Sequence, residues 1–354
     1  MNAPAPRSGP VSNVSLARGC QFANLAGVKW LAMAVVGGAL GAWPIYAAPK
    51  SADKAPPPPI FSTSTVSPAE AEFQRVMALD DAAHEEVDKW IKENASFARQ
   101  GAGLSQAVLS LKIEQRLAPV KQAYEDFLQR HPKHARGQLA FGSFLNDLGD
   151  EAEARQRWQK ALELDPANPA AYNNLANSYG QSGPVTTAFE LYAKAIEMNP
   201  RQSIYYHNLG SVILLHRKEA AVHYRTAEQQ VVRHAMELYR LAQQFDPANF
   251  QLATDLAQAH YALQPPDYEA AIAAWTRAQS LARDAQEREG THLHLARVKA
   301  AAGRLNEARS HLVSVTNSAL AAVKARLERE LVGQALPPPV TSEGRRLAIP
   351  SAPR

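Results

Sequence analysis

One cysteine in 354 residues, Cys20, leaves no intramolecular disulfide possible. It does not read as a lipid-attachment cysteine either, because Leu16-Ala17-Arg18-Gly19 put a charge where an apolar run belongs. Reaction motifs are missing as well. There is no Gly-rich phosphate loop, no Gly-x-Ser-x-Gly elbow and no Cys/His pairing, so nucleotide cradling and nucleophilic catalysis have no visible machinery. His292 and His294 stand two apart, which points them about 200° from each other on a helix. His216, His223 and His234 have no Cys or paired carboxylate at ligand spacing. The expectation is therefore no metal, no cofactor and no catalytic residue.

Strand-like alternation is scarce in an Ala-rich chain, which makes the fold all-α. A basic body is also lacking. The formal charge is +4, but residues 1–49 carry +3 through Arg7, Arg18 and Lys29, and residues 337–354 carry +2. That leaves −1 for residues 50–336, a balance that argues against nucleic acid as a partner.

What the sequence does have is a period. Pro132, Pro166 and Pro200 are spaced by 34 residues, and the words Leu164-Asp165-Pro166-Ala167-Asn168 and Met198-Asn199-Pro200 close successive units. Tyr172, Leu175, Ala176 and Tyr179 fall on one helical stripe, and Ala188, Tyr192 and Ala195 on the next. Gly142, Ala176, Gly210, Ala257 and Ala296 recur at one place, where two crossing helices need a small side chain.

These residues resemble the tetratricopeptide repeat (TPR) family, whose unit carries a large residue, Leu, a small residue and an aromatic in its first helix. Its second helix carries Ala, aromatic, Ala and Pro. The unit before the best-matching one follows this through Phe141, Gly142, Leu145, Ala154, Trp158, Ala161, Leu164 and Pro166. A later one begins with Tyr206, Leu209 and Gly210 and resumes with Ala235, Tyr239, Ala242, Phe245 and Pro247. Weaker units run through Leu256, Ala257, Ala271, Trp275 and Ala278, and through Leu295, Ala296, Gly303, Ala308 and Leu312. A degenerate one runs through Leu104, Leu111, Tyr124 and Pro132. The resemblance implies a right-handed α-solenoid of TPR helical hairpins with flanking capping helices.

The expected organisation has six parts. Residues 1–48 are either a cleaved signal peptide or an N-terminal membrane anchor, since the basic segment precedes the apolar run from Trp30 to Trp43 and small residues follow it. Both alternatives place the repeats outside the cytoplasm, periplasmic or secreted in one case and anchored to the membrane in the other. Residues 49–66, with Pro56 to Pro59, form a Pro-rich linker. An N-terminal capping helix over 67–100 opens with Ser67, Pro68 and Glu70. The TPR array of about six units spans 101–316, a C-terminal capping helix with the stripe Leu320, Val323, Leu327 and Leu331 spans 317–336, and a disordered tail spans 337–354. Pro200 to Pro247 exceeds the period by 13 residues, an insertion around His216 to Gln230.

The family's groove is lined by exposed positions of each first helix. Here those positions, with their neighbours, hold Asn173, Asn174, Asn177 and Gln181 in one unit and His207, Asn208 and Ser211 in the next. Asn side chains both donate and accept, which suits an extended peptide backbone, though the family also uses several of these asparagines for its own structure. Tyr224 and Arg225 in the insertion are the other candidate contacts. A carboxylate clamp is disfavoured because the matching places hold Leu139, Ser143, Asn174, Ile204 and Asn208. The expected function is a scaffold that binds a protein or an extended peptide and catalyses nothing, with the membrane as a second partner if the N-terminal segment is retained. The alternatives are an assembly accessory factor of an envelope or secretion complex, and an accessory subunit of an enzyme.

Overall fold

A computed structural model of the chain describes residues 67–99 and 101–335. The expected signal or anchor at 1–48, the linker at 49–66 and the tail at 337–354 lie outside the described residues. Among the described residues every regular element is a helix, and the helices pair in succession into an all-α helical repeat fold. None of them is long and apolar enough to cross a membrane. The helices separate into two compact units.

The first unit holds α1 (Pro68–Arg99), α2 (Gln106–Arg130), α3 (Ala135–Asp147), α4 (Glu151–Leu164), α5 (Pro169–Ser182) and α6 (Val185–Met198), paired as α1 with α2, α3 with α4 and α5 with α6. Local chemistry sets their ends. Ser67 accepts from the Glu70 amide at 3.2 Å, and Ser105, Asp150 and Asn168 cap α2, α4 and α5 in the same way. Proline at the start of α5 costs nothing, because the first-turn amide has no partner to lose. The recurring Asp-Pro-Ala-Asn word is thus a stop and a start. The Asp165 amide still bonds Ala161 O, and Asn168 three residues on begins the next helix.

The degenerate unit read above through Leu104, Leu111, Tyr124 and Pro132 holds a single 25-residue helix, α2. Its partner is α1, the helix read as a cap, so the two make one hairpin. The apolar pattern explains why. Phe73, Val76, Ala83 and Val87 of α1 share a core with Leu117, Val120, Tyr124, Phe127 and Leu128 of α2, whereas Leu104 and Leu111 are exposed.

The second unit holds α7 (Ser203–Leu215), α9 (Glu228–Phe245), α10 (Phe250–Ala259), α11 (Tyr268–Ser280), α12 (Ala285–Ala301), α13 (Leu305–Val313) and α14 (Ala321–Ala335). Between α7 and α9 lies the short α8 (Arg217–Tyr224), whose end at residues 222–225 groups with the first unit. The extra residues of the long repeat are therefore spent on α8 and on an 18-residue α9. Here α7 pairs with α9, α10 with α11 and α12 with α13. Leu327 and Leu331 of α14 are buried with Leu293, Ala296, Ala308, Leu312 and Val315, and Val323 packs beside them.

The small residue at each helix crossing has a measurable reason. A methyl group on Gly142 would sit 2.6 Å from the Trp158 indole, and one on Gly210 would sit 3.0 Å from the Tyr239 ring. Alanines at the other three places are fully or almost fully buried.

Candidate functional site

The first helix of each hairpin carries the residues that sequence pattern assigns to a groove, and the structure shows what holds them. In the first unit, Asn173 is only 7% exposed and donates to Asn174 Oδ1 at 3.3 Å, so it is not the open groove residue that its position suggests. Asn174 in turn donates to Ser143 Oγ on the neighbouring first helix, α3, at 3.1 Å. Asn177 Oδ1 accepts from the Tyr192 hydroxyl of α6. Gln181 is exposed.

In the second unit the same pattern returns. Asn208 is buried. His207 Nε2 lies 2.7 Å from Asp255 Oδ2, joining α7 to α10, and Gln251 donates to the other Asp255 oxygen at 2.9 Å. Ser211 Oγ and the Tyr239 hydroxyl of α9 are 3.0 Å apart, and burial pushes that phenol well above its ordinary range. Two kinds of link emerge. One ties neighbouring first helices together, and the other ties a first helix to the tyrosine of its own second helix.

A third link was not singled out from sequence. Tyr261 donates to or accepts from His294 Nδ1 at 3.1 Å, and His294 stacks flat on Trp275 with centroids 3.9 Å apart. Burial first, and the nearby Arg297 guanidinium second, hold His294 down to about 4, so it is neutral at physiological pH. Tyr261 remains 42% exposed. A usable signal existed. Ser143 and Asn174 are 31 residues apart and Tyr261 and His294 are 33 apart, each close to one repeat. His207 and Asp255 are 48 apart, close to the 47 residues of the expanded repeat.

The insertion residues behave differently. Tyr224 stacks on Phe189 of α6 with centroids 5.6 Å apart, and His223 packs on the same ring at 5.4 Å. Phe189 belongs to a second helix and is buried, so the Tyr224 ring is engaged in packing. Arg225 is exposed, and its φ of 54° puts it in the left-handed region at the end of α8.

The side chains on these first helices are mostly polar, with Asp255 and Arg297 as charges among them. Chemically these side chains offer amides, hydroxyls, imidazoles and the exposed Tyr261 phenol, a set suited to hydrogen bonding an extended chain. Among the described residues no group of three or more His, Cys, Asp or Glu is placed to hold a metal ion.

Comparison with known families matches residues 142–183 to a family described as TPR repeat and residues 169–202 to one described as Tetratricopeptide repeat. Among solved structures, YrrB, described as a TPR protein with an unusual peptide-binding site, is 13% identical over 59% of this chain and 99% of its own, with a TM-score of 0.46. For pilF of Pseudomonas aeruginosa the identity is 16% over 70% of this chain and 99% of its own, with a TM-score of 0.48. PilW, described as a type IV pilus biogenesis factor, is 15% identical over 59% and 88%, with a TM-score of 0.45. No curated protein matches the chain.

Proposed function

The chain is a tetratricopeptide repeat protein, and from that premise we propose that it is a non-catalytic scaffold, exported or held at a membrane by its N-terminal segment, that binds a protein or an extended peptide on the first-helix faces. Repeat proteins of this kind generally serve protein–protein interaction, and the observation that carries the finer reading is the lacing of neighbouring first helices. Asn174 to Ser143 in one unit, and in the other His207 to Asp255 and Tyr261, in the short 3-10 turn His260–Ala262 that follows α10, to His294, tie each first helix to the next. Held in this way, the face loses little entropy on binding. The contacts fall to side chains that remain open, Gln181 in the first unit and Gln258 and Tyr261 in the second. Asn173, Asn174, Asn177, His207, Asn208 and Ser211 position the faces that carry them.

Export rests on Lys29 and the apolar run behind it. An accessory subunit of an enzyme is the alternative, and capture of a dedicated catalytic chain as the partner would favour it. The test is a photocrosslinking side chain placed at Gln181 or Gln258, on first helices, and at Glu163 or Arg240, on the exposed sides of second helices. Crosslinks to one partner from the first pair alone are expected. Crosslinks from Glu163 and Arg240, with none from Gln181 and Gln258, would move the binding surface to the opposite face.

A further inference from the structure

Helices α12 and α13, the last pair before α14, bring two imidazoles together. His292 Nδ1 and His311 Nδ1 are 2.9 Å apart, with ring centroids 5.1 Å apart and planes 45° from each other. Both rings are half-buried and reachable from solvent. One Nδ1 must carry the proton that the other accepts, so the pair exists as two different tautomers of neutral histidine.

We propose that His292 and His311 form a bidentate site for a divalent cation of the copper(II) or nickel(II) class. The argument is one of bite. With metal–nitrogen bonds of about 2.0–2.1 Å, two donors 2.9 Å apart subtend about 90° at the ion, whereas a tetrahedral ion needs them about 3.3–3.4 Å apart. A right-angle pair of nitrogens is the cis arrangement of tetragonal copper(II) and nickel(II), and tetrahedral zinc fits it less well. The two rings must turn slightly so that both lone pairs converge on one point beside the present hydrogen bond. No proton need leave the protein: the ring that now carries Nδ1–H takes its proton on Nε2 and frees Nδ1.

The surroundings agree with a neutral nitrogen site. Burial lowers both rings from the ordinary histidine value, with Lys299 adding to the effect at His311. The nearby carboxylates are occupied elsewhere. Glu289 accepts from the Thr316 amide and hydroxyl and from the Asn317 amide, and Glu307 pairs with Lys299 at 3.0 Å. The protein therefore supplies two ligands, and water or a group from a bound partner fills the remaining positions.

Copper(II) chloride alone, titrated into the full chain, is the probe. Electron paramagnetic resonance and the thermal midpoint of unfolding are the readouts, in wild type, His292→Ala, His311→Ala and the milder His311→Gln. The tightest copper site should show nitrogen coupling and raise the midpoint in wild type. Loss of either imidazole should weaken it by about 100-fold, the size expected when one arm of a linked pair is removed. Circular dichroism at each variant confirms that the helices persist. If His311→Gln folds and binds copper with wild-type affinity and spectrum, the ion sits on other histidines and the assignment is wrong. Zinc binding at this pair tighter than copper would overturn the right-angle geometry.

Discussion

The Tyr124 hydroxyl of α2 donates to Asp80 Oδ2 of α1 at 2.6 Å, a buried polar contact in a hairpin whose other polar contacts, such as Arg116 with Glu86, lie at its exposed margins. His84 Nδ1 lies 2.7 Å from the second oxygen of the same carboxylate, and the Asp80 partner raises that imidazole above its ordinary value. The same device recurs with different chemistry where Tyr192 meets Asn177 and Tyr239 meets Ser211. In each case a second-helix tyrosine passes the close crossing and its hydroxyl finds a polar group on the first helix.

Tyr124→Phe should therefore cost more than a surface hydroxyl would. The ring is fully buried and its loss of one oxygen leaves Asp80 Oδ2 without its donor, so a penalty of about 1–3 kcal/mol is expected. Denaturant unfolding measures it. A change below about 0.5 kcal/mol would mean that water replaces the hydroxyl.

Acid should loosen the second unit. Burial holds His234 and His294 down to about 4, and His311, more open and so counting for less, is held there too. Unfolded, each binds its proton near 6.5, so between those values the unfolded chain carries more protons and stability falls as pH falls. The loss at pH 5 is on the order of 1–2 kcal/mol for each of the two more buried rings. In the first unit His84 acts in the opposite sense. Its stabilisation is complete below the unfolded value and is lost as pH rises through its raised folded value, while His134, lowered by burial, opposes it. Hydrogen exchange at pH 7 and pH 5, corrected for intrinsic rates, should show α9 and α12 losing protection. Equal loss in α1 and α12 would contradict this assignment.

Packing at the repeat seam gives a pair of opposite tests. Leu175 is 3% exposed, and Leu175→Ala should cost about 2–5 kcal/mol, felt first by the neighbouring helices. Gly142→Ala adds an atom where the Trp158 indole already stands, and overpacking of about 1–3 kcal/mol follows. Thermal melts of both variants decide it, and a neutral Gly142→Ala would show that Trp158 moves aside freely.

Much of this architecture was legible because a 34-residue period, a small residue at each crossing and an Asn or Asp at several helix starts, such as Asp150, Asn168 and Asn249, are local signals. The first hairpin was not. Leu104 and Leu111 keep the right residue types for a repeat but are exposed, and only the core shared by Phe73, Val76 and Tyr124 shows that α1 is the partner of α2. Side-chain roles on the faces were harder still. Asn173 and Asn177 were placed on the correct helix, yet whether an amide faces solvent or a neighbour depends on residues such as Ser143 and Tyr192, fifteen or more positions away. The insertion shows in the repeat spacing, whereas the packing of Tyr224 on Phe189 joins residues 35 positions apart and is set by the tertiary fold.

Location has a direct test. A reporter that is active only after export, fused behind Gln334, should be active when the chain begins at Met1 and inactive when residues 1–48 are removed. Activity of both fusions, or of neither, would remove the N-terminal segment from the account.

The last prediction separates the insertion from the first-helix face as the place where a partner binds. Tyr224 is tied to Phe189, so Tyr224→Ala should lower stability by about 1 kcal/mol or more through the lost ring contact. Gln181 is exposed on α5 and Gln258 is exposed on α10, so Gln181→Ala/Gln258→Ala should leave stability within about 0.5 kcal/mol of wild type. Binding should show the reverse order. Once a partner has been crosslinked and identified, the double glutamine variant should weaken its affinity by about tenfold, corresponding to about 1.4 kcal/mol. Tyr224→Ala and Arg225→Ala, at temperatures where both remain folded, should leave it unchanged. Because the face offers few charges, affinity should also change little between low and physiological salt. If Arg225→Ala weakens binding and the glutamine pair does not, the insertion is the contact surface, and the laced first helices serve only to hold the repeats together.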